Sequence, residues 1–178
     1  MTRFAALLRG VNLGGRTLLM ADLKRIAAQQ GFVDPHTLLA SGNLVFASDL
    51  APDAIERRLE EALAVHGLVT DVIVRDHAGL AGAIAANPFS AEAADHPSHL
   101  LVSFHRDPFP AAALSRAAAL HDGPERMTAV GRELYIDHVG REEMRASKLL
   151  SVMKKAKFPA VATARNWNTV VKLAGATA

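Results

Sequence analysis

Three stretches hold the residues best suited to chemistry: LLRGVNLGGRT at 7–17, Ser41-Gly42-Asn43, and TARNWNTVVKL at 163–173. From Gly10 to Thr17 the first reads G-x-x-x-x-G-R-T, one residue from a phosphate-binding P-loop. That motif uses glycines to let backbone N–H groups wrap phosphates, a lysine for the β/γ-phosphates, and Ser/Thr for magnesium. Here Arg16 stands at the lysine position, and arginine does not replace a point charge. The helical pattern starts near Met20, and no strand ending in a magnesium-binding Asp follows. Triphosphate hydrolysis is therefore not expected. A looser glycine-rich loop remains, with Gly14 and Gly15 presenting N–H donors and Arg9 or Arg16 nearby.

Ser41 and Asn43 flank a turn glycine and add a hydroxyl and an amide that orient a ligand, with Asn12, if strands 3–9 and 43–47 are neighbours. Arg165 lies at or just before a helix start, where a cation needs a partner, and Asn166 or Thr163 is placed to cap that helix. Lys148, just after Ser147, repeats the arrangement one helix earlier. Trp167 heads an apolar stripe and reads as a packing residue. Among the eight histidines, only Asp95-His96-Pro97-Ser98-His99 resembles a ligand cluster, and two imidazoles fall short of a metal site. No Gly-x-Ser-x-Gly elbow and no acid/base pair stands out, so no catalytic residue, metal or cofactor is assigned.

The elements that must position these residues follow from periodicity. Residues 3–9 read as a buried strand, and Met20, Leu23, Ile26 and Ala27 as a helix stopped by Gly31. Residues 36–40 and 43–47 form a hairpin about Ser41-Gly42. Pro52-Asp53 opens a helix, with Asp53 and Glu56 at capping-box spacing, and residues 70–75 form a strand. After a connecting helix (76–86) and a loop (90–98), the order recurs: strand 99–104, helix 111–121, and a hairpin of 126–130 and 133–137 about Gly131-Arg132. A helix capped by Ser147, a short strand at 159–162 and a helix over 166–175 close the chain. Two β-α-β-β-α-β patterns imply an α+β fold of two ferredoxin-like subdomains, 1–75 and 99–178, joined by 76–98. The repeat lies in element order; no residue-by-residue repeat stands out.

At 178 residues, half of them hydrophobic, the chain needs no staple to fold, and with no cysteine it has no disulfide or thiolate chemistry. The apolar run Phe4–Leu8 is too short for a signal peptide or a membrane span, which points to a cytoplasmic protein without a membrane partner. Net charge is +2, but residues 141–178 hold eight Lys+Arg against two Asp+Glu. A basic segment of this kind attracts phosphate or nucleic acid, although aromatics for base stacking make up only 5% of residues.

LLRGVNLGG at 7–15, MADLKRIAAQQGF at 20–32, ASGNLVF at 40–46, SKL at 147–149 and TARNWNTVVKL at 163–173 together resemble the bacterial domain-of-unknown-function family 1697. The resemblance implies a duplicated ferredoxin-like α+β fold and no particular activity; Arg16 departs from it where lysine is expected. Three readings follow. The first is a small anionic or phosphate-bearing ligand in a groove between the subdomains, held by Arg9, Asn12, Gly14, Gly15, Ser41, Asn43, Lys148, Arg165 and Asn166. The second is nucleic-acid binding through 141–178. The third gives the same polar residues to an internal network or a dimer interface. Whether the chain is an enzyme, and its oligomeric state, are left open.

Overall fold

A computed structural model describes residues 1–10, 19–39 and 42–178. In chain order its elements begin β1 (Thr2–Leu8), α1 (Met20–Gln29), β2 (Val33–Thr37), β3 (Asn43–Ser48), α2 (Pro52–Val65), β4 (Val72–Asp76) and α3 (His77–Ala85). They continue α4 (Ser90–Asp95), β5 (Leu100–His105), α5 (Ala111–Leu120), β6 (Arg126–Val130), β7 (Glu133–Asp137), α6 (Arg141–Ala146), α7 (Leu149–Lys155), β8 (Ala162–Asn166) and α8 (Trp167–Thr177). Two four-stranded antiparallel sheets result, ordered β2-β3-β1-β4 and β6-β7-β5-β8. Each belongs to a β-α-β-β-α-β unit, so the fold is α+β and duplicated in architecture. By internal packing the chain divides into Met1–Gly82 with Lys172–Ala178, the first half, and Ala83–Val171, the second.

In the first half, alternate residues of β1 (Phe4, Ala6, Leu8) join Leu44, Phe46, Val72 and Val74 in a core closed by Leu23 and Ile26 of α1 and Ile55, Leu59 and Leu63 of α2. This is the period-2 and period-3.6 patterning meeting on one face. The intervening residues Ala5, Leu7, Val45 and Ile73 are buried as well, so both faces of the sheet are covered. Gly31 and Gly67 follow the ends of α1 and α2 with φ of +82° and +81°, the left-handed stop that glycine accommodates without strain. In the second half, Leu134 and Ile136 of β7 pack with Ala113 and Ala117 of α5 and Leu149 and Val152 of α7.

Four local expectations are corrected. The capping box of α2 does not form: Asp53 pairs with Arg57 one turn on, and the buried Glu56 carboxylate accepts the Val74 N–H at 2.9 Å. A strand N–H in the core needs an acceptor more than an exposed helix start does. The first hairpin pairs Val33–Thr37, and not 36–40, with β3; a register shift between Val33 and His36 takes up Asp34 at φ +51° and Pro35. The segment 90–98 contains a helical turn, α4. The last strand is Ala162–Asn166, not 159–162, and α8 starts directly after it. Asn166 ends the strand and caps the helix with its own side chain, accepting the Thr169 N–H at 3.0 Å.

That arrangement has a counterpart in the first half. Asp76, the last residue of β4, accepts the Gly79 N–H at 2.8 Å and so caps α3. Arg75 and Arg165 precede the two caps, opposite Ala5 of β1 and Val102 of β5. An Arg-Asx step from strand into helix therefore occurs once in each half. Replacing Glu56 with Ala strands the Val74 N–H in the core, and we expect a loss of about 1–3 kcal/mol, read as a lower urea midpoint.

Candidate functional site

Arg9 follows β1 directly and is held at three points. Its N–H donates to the Asp71 carbonyl at 3.0 Å, and its carbonyl accepts the Thr70 hydroxyl at 2.5 Å. Its guanidinium Nη1 donates to Asp71 Oδ2 at 3.0 Å. Among the described residues Arg9 makes no other side-chain bond, and the side chain is 51% exposed. Arg9, Gly10, Leu68, Val69, Thr70 and Asp71 line a cavity of about 230 Å³. Gly10, at φ +61°, turns the chain out of the strand. Asn12, Gly14, Gly15 and Ser41 lie outside the described residues. Asn43 is fully buried, and its Nδ2 donates to the Leu38 carbonyl at 2.9 Å. It thereby braces the turn into β3.

In the second half the predicted residues separate. Arg165 is buried; Nη1 donates to Thr163 Oγ1 at 2.7 Å and to the Ala164 carbonyl at 2.8 Å. Burial lowers its pKa to about 10. Asn166 is occupied by the Thr169 N–H and hydroxyl. Lys148 is exposed beside α7, and it lines a cavity of about 290 Å³ with His121, Gly123, Glu125, Glu143 and Ser147. Neither Arg165 nor Asn166 lines that cavity. Asp122, Glu125 and Glu143 outnumber Lys148 along its wall, so the wall does not favour an anion.

The densest polar cluster was not singled out by the sequence reading. β6 and β7 pair with Arg126 opposite Asp137, so the preceding Glu125 and the following His138 also stand side by side. Asp137, 1% exposed, accepts Arg126 through Nε at 3.1 Å and Nη2 at 2.6 Å. It also accepts the Val139 N–H at 3.0 Å, and His96 Nε2 stands 2.9 Å from Oδ1. Arg126 reaches Glu92 of α4 as well, and lies 5.1 Å over the Phe89 ring. Glu125, equally shielded, accepts the Ser147 hydroxyl, with His121 Nε2 at 3.3 Å and His138 Nδ1 at 3.9 Å. The Gly131-Arg132 turn fixes this pairing, because strand positions equidistant from a two-residue turn face each other. That count was available in the sequence; the burial was not.

A hydroxyl, an imidazole and a carboxylate thus meet in one cluster, but in the wrong order for a relay. Ser147 gives its proton to the carboxylate and also accepts the Leu149 N–H at 3.1 Å, whereas nucleophilic activation needs an imidazole at the hydroxyl. Asp137 has its oxygens filled by protein donors. Among the described residues no three His, Asp or Glu side chains converge as a metal site. The His96–His99 pair of the sequence reading is used otherwise: His96 joins the α4 region to β7 through Asp137.

The profile of the family described as a protein of unknown function (DUF1697) matches residues 1–135. The chain belongs to that family. The matched span includes the blocks at 7–15, 20–32 and 40–46, while those at 147–149 and 163–173 lie beyond it. Among solved structures, the conserved bacterial protein SP0830 from Streptococcus pneumoniae is similar, with a TM-score of 0.76 at 19% identity over 99% of each chain. At that identity the likeness concerns the fold. No curated protein matches the chain. Among the described residues no helix is long and apolar enough to cross a membrane.

In this family member the two histidines of the cluster respond to pH in opposite directions. The bond to Asp137 raises the pKa of His96 above its ordinary 6.5, so its stabilisation is present below that value and lost as pH rises through the raised one. Burial lowers the pKa of His138, with Glu125 and Asp137 opposing. Stability linked to His138 is present above pH 6.5 and is lost as pH falls toward and through the lowered value. For Glu125 and Asp137 burial pulls upward but is outweighed, by Ser147 on the first and by Arg126 and His96 on the second, so both stay below the carboxylate range. Thermal unfolding across the mildly acidic range should therefore show His138→Gln losing less stability than wild type on acidification, and His96→Gln losing more.

Proposed function

We propose that the protein binds a small anionic ligand, carrying a carboxylate or a phosphate group, at the Arg9 end of the first sheet. The observation that carries this is the half-exposed guanidinium of Arg9, which among the described residues bonds through Nη1 to Asp71 and lines the 230 Å³ cavity. A planar fork held in this way is suited to two parallel bonds to an oxyanion. Anchoring it at three points lowers the entropy lost when a ligand docks. Gly14 and Gly15 follow five and six residues along the chain and are the proposed source of backbone N–H donors.

For Asn43, Arg165 and Asn166, the observations favour the reading in which polar motifs serve the fold. Each is engaged by partners on its own segment, and two of the three are buried. Nucleic-acid binding through 141–178 has less support. Lys148, Lys154, Lys155 and Lys157 are exposed there, but no Phe, Tyr or Trp is among the exposed large apolar residues described. A sheet that reads single-stranded RNA presents such rings.

A thermal-shift panel of inorganic phosphate, sugar phosphates, nucleotides and simple carboxylates tests the proposal. An anion at a hundred times its Kd should stabilise the protein by about 2.7 kcal/mol. Arg9→Ala should abolish that shift while the unliganded melting temperature stays close to wild type. An unchanged shift in Arg9→Ala places the ligand elsewhere.

A further inference from the structure

We infer that the outer edge of β6 pairs antiparallel with β6 of a second copy of the chain, about a two-fold axis at Thr128, so that two β6-β7-β5-β8 sheets join into one. β6 is the end strand of its sheet. Which of its backbone groups face outward follows from β7. His105 N–H donates to the Arg132 carbonyl and His138 N–H to the His99 carbonyl, so even-numbered positions of this hairpin arm bond toward β5. Odd-numbered positions bond toward β6, because successive residues of a strand alternate in direction. Glu133, Tyr135 and Asp137 are thus matched by Val130, Thr128 and Arg126, and the N–H and C=O of Met127 and Ala129 point away from the sheet. The outward run is closed at both ends. His121 Nε2 takes the Glu125 carbonyl at 3.1 Å, and the Phe109 N–H takes the Gly131 carbonyl at 2.8 Å. What fits is a strand with two outward residues and one between them, and β6 is itself such a strand.

In that register Met127 bonds Ala129 of the second copy, and Ala129 bonds its Met127, which makes four backbone bonds. Thr128 stands opposite Thr128, a favoured cross-strand pair. Arg126 falls opposite Val130, so no like charges oppose, and its own charge is met by Asp137 and Glu92. The side chains of Met127 and Ala129 lie on the α5 face, where with Phe109, Leu114 and Ala118 they line a cavity of about 460 Å³. Across the axis the long side chain meets the short one beside this cavity. The corresponding edge of the first sheet is blunted: β2 carries Pro35, which has no N–H, and a register shift at Asp34. β6 pairs in unbroken register and has no proline.

An interface this short belongs to the weak class, so sedimentation of the full chain from about 10 μM to about 1 mM reads the association. Wild type should pass from monomer to dimer over that range. Ala129→Pro removes an outward N–H, which an edge strand tolerates. Two of the four bonds go with it, and the dissociation constant should rise about tenfold or more. Thr128→Lys and Thr128→Glu each set like charges face to face and should stay monomeric alone, while an equimolar mixture of the two should associate. A wild type that stays monomeric, an Ala129→Pro dimer as tight as wild type, single Thr128 variants that associate as wild type does, or a mixture that fails to associate would each overturn the inference. The Thr128 pair keeps every backbone bond of β6, so a failure of Ala129→Pro to fold does not protect the inference.

Discussion

An inner strand of each sheet is shielded from solvent over nearly its whole length, and most of what the molecule does with its polar residues follows from that. From Phe4 to Leu8, β1 is at most 4% exposed, and in β5 every residue but the half-buried Leu101 is at most 7% exposed. A strand in such a position cannot slip by one residue without exchanging two packed surfaces, so its register is strongly specified. An unmatched donor or acceptor beside it costs as much as a lost hydrogen bond. The Glu56 carboxylate on Val74 N–H, the Asn43 amide on Leu38 and the Arg165 guanidinium on Thr163 and Ala164 each meet this requirement. At these positions polar side chains bond to groups of the strands and their turns.

The β6–β7 hairpin meets the same requirement with charge. Asp137 and Glu125 are removed from solvent, and a lone buried carboxylate would protonate rather than remain charged. Arg126 and His96 on one, and Ser147, His121 and His138 around the other, keep both acids ionised. The clusters tie the region of α4 and the segments before β6 and α7 to the hairpin. Ion pairs of this kind specify geometry more dependably than they add stability. Arg9 differs from all of these: its side chain is half exposed, and among the described residues its guanidinium bonds Asp71 through one nitrogen.

The order of elements was legible because apolar spacing reports which face of a helix or strand is buried. Gly31, Gly67 and Gly131-Arg132 marked stops and a turn where the backbone takes left-handed angles, with φ of +82°, +81° and +60° at the three glycines. The last strand was misplaced because Arg165 and Asn166 are polar and adjoin a helix, so periodicity assigned them to a cap. Asn166 is in fact both strand end and cap. The Arg-Asx repeat at 75–76 and 165–166 escaped notice for a related reason: its two copies share a backbone role and little neighbouring sequence.

By itself the sequence determined the α+β class, the two β-α-β-β-α-β units and the family, since these depend on local patterning and on motifs read in order. Only the tertiary structure decided which polar residues are buried and which groups they bond. Asn43, Arg165 and Asn166 were as suited to a ligand as Arg9 when read by residue type. What separates them is that Asn43 and Arg165 are buried by strands paired across their sheets, while all three bond to residues within five positions of themselves. Arg9, one residue past its strand, keeps a half-exposed side chain and, among the described residues, meets one carboxylate.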